Sequence, residues 1–199
     1  MTAPSDASVG KVRWKRFAAI MIPAGIATGG LLYATATGAL ASSFAISGQN
    51  FTVSADSIDG TNFVQYGSSV KPAGKDTTPV AISGMSTAKI KNLCQSVSGP
   101  FGITMKLTAG GGSTPATAKN LVLSVSDLTA KKATFSNINI GQDDTTLNGP
   151  SQGTDHGFGQ QADKVHLEGV KQTAWATTAG TFNLPDLKLG FNFTGDTCG

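Results

Sequence analysis

Arginine, histidine and cysteine are all scarce in this chain, and each scarcity excludes something. The only two arginines, Arg13 and Arg16, sit near the start. Of the 15 basic residues, Lys11, Arg13, Lys15 and Arg16 precede position 42, as does Asp6 of the 12 acidic ones, so residues 42–199 hold eleven lysines against eleven carboxylates. That stretch has a formal charge of zero and no electrostatic footprint for nucleic acid, which rules out nucleic-acid binding. Two histidines and two cysteines, far apart, give no zinc spacing. No glycine loop follows a strand and opens a helix, so nothing calls for a nucleotide or any other cofactor. An amphipathic 3.6-residue period with caps is also lacking, and only 161–172 has room for a helical turn.

One long run lacks charge altogether. Phe17–Leu40 follows the basic cluster at 11–16 and closes on Ala39-Leu40-Ala41. Basic start, apolar middle and small-x-small exit predict a secretory signal helix over 1–41, cleaved to leave 42–199. The run is long enough to span a bilayer of roughly 20 helical residues. However, Gly25, Gly29, Gly30, Gly38 and Pro23 make it a poor lipid-facing helix. The expected location is secreted, extracellular or on the cell envelope, with membrane contact only through this segment or envelope association.

What is abundant is Gly, Ser, Thr and Asn, a composition that suits short strands and turns. Phe101–Ala109 and Leu187–Thr194 alternate apolar and polar side chains with period 2, the mark of half-buried strands. Weaker alternation runs through 51–55, 121–125, 134–140 and 164–167, with further candidates at 80–82 and 90–97. Turns are expected at Asp59-Gly60, Lys71–Gly74, Ser98–Pro100 and Gly110–Ser113. Short echoes at 55–58, 87–90, 128–131 and 162–165 permit a solenoid-like stack, although an antiparallel meander fits better. The fold class is all-β: a single-domain antiparallel β-sandwich or flattened barrel. In an exported protein, Cys94 and Cys198 read as one disulfide.

Candidate chemistry concentrates in the irregular segment 141–161. Gly149-Pro150-Ser151-Gln152-Gly153 matches the G-x-S-x-G pattern of serine hydrolases. With this much Ser and Gly, about 0.3 such matches arise by chance, and a turn-rich glycine loop is the competing meaning. A nucleophilic Ser151 needs a base, and His156 or His166 are the only two imidazoles. Asp163 or Glu168 would orient the ring; Glu168 shares a strand face with His166. Asp143, Asp144, Asn148 and Asp155 carry oxygens of the kind calcium takes, without the spacing of a calcium loop, and read as a solvated acidic loop. The Phe- and Leu-rich strand faces point to a core, or to a gap between sheets that receives an apolar lipid.

The start Val12-Arg13-Trp14-Lys15-Arg16-Phe17, the Gly/Ala-rich run, Ser43-Phe44-Ala45-Ile46-Ser47-Gly48 and the pair Cys94 and Cys198 together resemble a family. It comprises short secreted proteins of streptomycetes and related actinobacteria, a domain family of unknown function. Some of its members are named cholesterol esterase. The resemblance implies a sterol- or lipid-ester hydrolase acting outside the cell. The alternative is a non-catalytic lipid-binding or envelope-associated structural protein, to which the neutral surface, β-rich chain and sparse catalytic residues point.

Overall fold

The computed structural model describes residues 46–198; the signal segment expected over 1–41 and its cleavage lie outside the described residues. Ten strands make one antiparallel sheet. They are β1 (Phe51–Val70), β2 (Thr78–Lys91), β3 (Leu93–Ser98), β4 (Thr104–Ala109) and β5 (Ala116–Thr129), then β6 (Lys132–Ser136), β7 (Asn139–Asp143), β8 (Phe158–Thr178), β9 (Thr181–Asn183) and β10 (Lys188–Asn192). Among the described residues, single 3-10 turns at Pro100–Gly102 and Asp144–Thr146 are the only helical segments. None is long and apolar enough to cross a membrane.

The sheet closes on itself. β1 pairs with β2 along one edge and with β8 along the other, β2 pairs with β5, and β5 pairs with β8. β6 and β7 continue the line of β5 along the second edge of β8. The result is a flattened barrel, one of the two all-β forms expected. Every pairing is antiparallel, so no solenoid of stacked like units forms. β3, β4 and β10 leave the ring as a wing, anchored where Thr52–Ser54 of β1 meets Cys94–Ser96 of β3.

β1 and β8 have 20 and 21 residues, far beyond the usual strand of roughly 5–6. They bend rather than end. Asn62 (φ 50°), Asn120 (φ 48°) and Asn137 (φ 53°) adopt the left-handed conformation that Asn tolerates. They lie in one row across the sheet with Ser86 and Asp163, where ladder pairs drop out on both sides. Asn62 donates to Ser86 (3.1 Å) and Asn137 to Asp163 (2.7 Å). In a second row Gly169 (φ 58°) stands opposite Asp56, which accepts from Asn92, itself at φ 50°. Each row shifts the side-chain phase by one residue. Inward positions on β1 therefore run Val53, Ala55, then Ile58, Gly60, then Phe63; those on β8 run Ala162, then Val165, Leu167, then Val170.

A ring of so few strands has a narrow interior, and small residues fill much of it. Ala88, Ala116, Ala118 and Ala162 pack among Ile58, Ile90, Leu121, Val165 and Val170. Phe63 meets Phe135 with ring centres 5.4 Å apart. A Cβ on Gly60 would fall 2.5 Å from the sulfur of Met85 and 2.9 Å from Val165. The cavity lined by Val53, Ile58, Leu93, Leu121 and Phe182 holds only about 20 Å³, room for about one water. No lipid fits in that void.

Four expectations are corrected. Asp59-Gly60 is no turn but mid-strand in β1, because Gly60 serves the packing inside the ring. Residues 161–172 form no helical turn; they belong to β8, their alternation hidden by the two phase shifts. Phe101 stands outside β4, in the 3-10 turn, at φ 61° and 94% exposed. The apolar face of β10 is not half-buried: Leu187, Leu189, Phe191 and Phe193 are exposed, as no layer of the described chain covers the wing.

Candidate functional site

The segment between β7 and β8 is pinned rather than loose. Asp143 caps the 3-10 turn, accepting from the Thr145 N–H (2.9 Å) and hydroxyl (2.7 Å). The Asp144 N–H donates to the Gly157 carbonyl and the Gly153 N–H to the Asp144 carbonyl. Leu147 buries itself against Val64 and Tyr66 on β1. Gly149 lies so close to Val64 that a Cβ there would stand 2.5 Å away. Asp144 is 2% exposed, and its Oδ1 has no hydrogen-bond partner among the described residues.

Ser151 is held in this segment, with its Oγ 2.6 Å from the Tyr66 hydroxyl. Burial pushes the Tyr66 phenol above its ordinary value; the Ser151 hydrogen bond opposes this and the negative charge of Asp144 reinforces it. A neutral phenol is a poor base, so Tyr66 positions Ser151 without activating it.

His156 is bonded elsewhere. Its Nδ1 lies 2.8 Å from Asp143 Oδ2, a carboxylate thirteen residues earlier rather than the neighbouring Asp155. Hydrogen bonds from His156 and then Thr145 hold the Asp143 carboxyl down to about 2. The Asp143 hydrogen bond in turn raises the His156 imidazole. Asp155 accepts from Thr154.

His166 has both ring nitrogens engaged, Nδ1 with Asp59 (2.6 Å) and Nε2 with Glu168 (3.0 Å). The same-face pairing of His166 with Glu168 expected from strand alternation is present. Hydrogen bonds first to Asp59 and then to Glu168 raise its imidazole; the hydrogen bond from His166 and then the Lys132 charge lower Glu168. Asp163 is taken by Asn137. Among the described residues, then, the His166–Glu168 pair forms, but no hydrogen bond joins Ser151 to either histidine: Ser151 is bonded to Tyr66, and His156 to Asp143. The sequence reading did not pair Tyr66 with Ser151, Asp59 with His166 or Asp143 with His156, partners that lie 85, 107 and 13 residues apart. Among the described residues, no three His, Cys, Asp or Glu side chains converge as a metal site.

Cys94 and Cys198 form the expected disulfide, Cα atoms 5.7 Å apart across 104 positions. The Cys198 N–H donates to Ser96 Oγ, so the chain end is tied to β3 twice. This fastens the wing, whose outer strand β10 has β4 as its one sheet partner. Leu189 lies opposite Leu107 and Phe191 opposite Met105, on one face. Phe101 and Phe193 extend beyond the same end of the wing, where Asn192 pairs with Thr104.

Fold and site together define an all-β protein: a closed antiparallel sheet with a disulfide-fastened, apolar wing. Residues 47–199 match a family described as a family of unknown function, DUF6230, and the chain belongs to it. No curated protein and no solved structure matches.

Proposed function

We propose that this is an exported protein that binds apolar lipid at its surface, in the non-catalytic form of the lipid reading. One observation carries the proposal: the exposed apolar end of the wing, with Phe101 94%, Phe193 78% and Phe191 68% exposed beside Leu187 and Leu189. Side chains of this size each gain roughly 1.5–3 kcal/mol on full burial, and a cluster of them marks an interaction site. Two features favour lipid over a flat protein face. Phe101 and Phe193 project from a hairpin turn and a strand end, the shape of a wedge that enters a soft apolar phase. The filled barrel interior also leaves a lipid no room there, so an apolar ligand has to be met on the outside. The disulfide accords with export to an oxidising compartment.

Sedimentation with zwitterionic phosphatidylcholine vesicles tests this reading. The protein should partition onto them, and replacing Phe101, Phe191 and Phe193 together by Ser should reduce partitioning at least tenfold. Absence of wild-type binding, or equal binding by the triple variant, overturns it. The ester-hydrolase reading rests on the family resemblance and needs Ser151; turnover of a chromogenic fatty ester that is lost in Ser151→Ala would establish catalysis in place of simple binding.

A further inference from the structure

Between the two bent rows lies a regular block of sheet in which β5, β2, β1, β8 and β6 run side by side. The register there is fixed. Lys119, Thr87, Thr61, Lys164 and Ser136 form one row across the strands; Thr117, Lys89, Asp59, His166 and Thr134 form the next; Lys91, Ser57, Glu168 and Lys132 form the third. Alternate residues point inward and include Ile58, Gly60, Ala88, Ile90, Val165 and Leu167, all buried. By the two-residue period every member of these rows therefore points outward. Asp59, Thr61, Thr87, Lys89, Thr134, Ser136, Lys164 and His166 line a cleft of about 290 Å³ on this face.

The charge of the block is not that of the chain. Residues 42–199 balance eleven lysines with eleven carboxylates, yet this face holds five of those lysines and two of the carboxylates, a formal +3. Those two carboxylates are engaged: Asp59 with His166, and Glu168 with His166 and Lys132. Lys89, Lys91, Lys119 and Lys164 have no carboxylate within 4 Å among the described residues. Strand spacing puts the Cα atoms of Lys89 and Lys164 roughly 12 Å apart on a diagonal across β1, close enough for two lysine side chains to reach one ligand between them. On β1, Thr61 and Asp59 lie between them, and the Thr61 hydroxyl is 2.7 Å from that of Thr87 beside Lys89; Thr134 and Ser136 add two more hydroxyls on β6, beyond Lys164. Ammonium groups around a floor of hydroxyl donors suit a compact polyanion with several acceptor oxygens.

We infer that this cleft binds a phosphate-bearing ligand, held by Lys89 and Lys164 as charges and by the hydroxyls of Thr134, Ser136 and whichever of the bonded pair Thr61 and Thr87 keeps its proton free to donate. The phosphate comes either on a soluble molecule or on a lipid headgroup. The site stands apart from the apolar wing and goes beyond the reading built on it.

The test uses the purified full chain with inorganic tripolyphosphate and with phosphatidylglycerol vesicles as separate probes. Calorimetry and amide chemical-shift mapping should show tripolyphosphate bound, with shifts centred on Thr61, Thr87, Thr134, Ser136 and His166. Lys89→Gln with Lys164→Gln should weaken binding at least tenfold, while Lys71→Gln with Lys171→Gln, outside the block, should change it less than twofold. Binding of phosphatidylglycerol vesicles alone, with the same dependence on Lys89 and Lys164, supports the site and assigns the phosphate to a headgroup. Neither probe binding, shifts lying elsewhere, or both lysine pairs mattering equally overturns the inference. The Phe101, Phe191 and Phe193 variant should bind tripolyphosphate unchanged, so the two surfaces fail or stand separately.

Discussion

Removing the Cys94–Cys198 disulfide should cost this protein a large part of its stability. The bridge spans 104 positions, and closing a loop of about 100 residues removes roughly 4.7 kcal/mol of unfolded-chain entropy. Whole small domains are stable by only about 5–15 kcal/mol. At roughly 2–4 °C per kcal/mol for a chain of this size, the Cys94→Ala, Cys198→Ala variant should melt roughly 9–19 °C below the oxidised protein. The loss should be seen first at the wing, because β10 has β4 as its one sheet partner while the ring strands are paired on both edges over much of their length. Thermal unfolding by circular dichroism, oxidised protein against double variant, gives the magnitude. Hydrogen exchange gives the place: amides of 188–192 should lose protection before those of 57–61. A drop below about 4 °C, or uniform loss of protection, would refute this reasoning.

The Asp143–His156 pair should make the loop sensitive to pH at both ends. The lowered Asp143 carboxyl adds stability above its ordinary 3.8 that is lost as pH falls toward about 2. The raised His156 imidazole adds stability below its ordinary 6.5 that is lost as pH climbs through its higher folded value. The pair is therefore fully formed between about pH 4 and 6.5. An NMR titration should show the His156 midpoint above 6.5 and returning there in Asp143→Asn; an unmoved midpoint would sink the assignment. Gly110→Ala should destabilise by about 3 kcal/mol, because Gly110 sits at φ 66° and a Cβ would fall 2.5 Å from the Ala116 nitrogen. Gly67→Ala, with nothing within 4 Å, should stay within about 1 kcal/mol of wild type in the same denaturant melt.

The strand signal was clearest where the fold uses strands least. Leu187–Thr194 alternates cleanly because β10 is short and unbent, yet its apolar face is exposed. β1 and β8, which build the barrel, show broken alternation, since each left-handed row moves the inward phase by one residue. Asn62, Asn92, Asn120 and Asn137 stand in those rows at positive φ, but nothing in the sequence singles them out, and only strand pairing reveals that three of them line up. The site followed the same pattern. The sequence supplied Glu168 as a same-face neighbour of His166, a contact two residues apart. It had no means of supplying Asp59 for His166 or Tyr66 for Ser151, since those contacts depend on which strands become neighbours.

By itself the sequence determined the all-β class, the disulfide and the neutrality of residues 42–199, because turn-rich composition, an even cysteine pair and a charge count are local or additive properties. Tertiary structure alone decided that the barrel is filled, that Ser151 binds a phenol, that the wing stays uncovered and that five lysines share one face. Those outcomes depend on register and closure. A single shift of phase in one strand exchanges every inward side chain for an outward one.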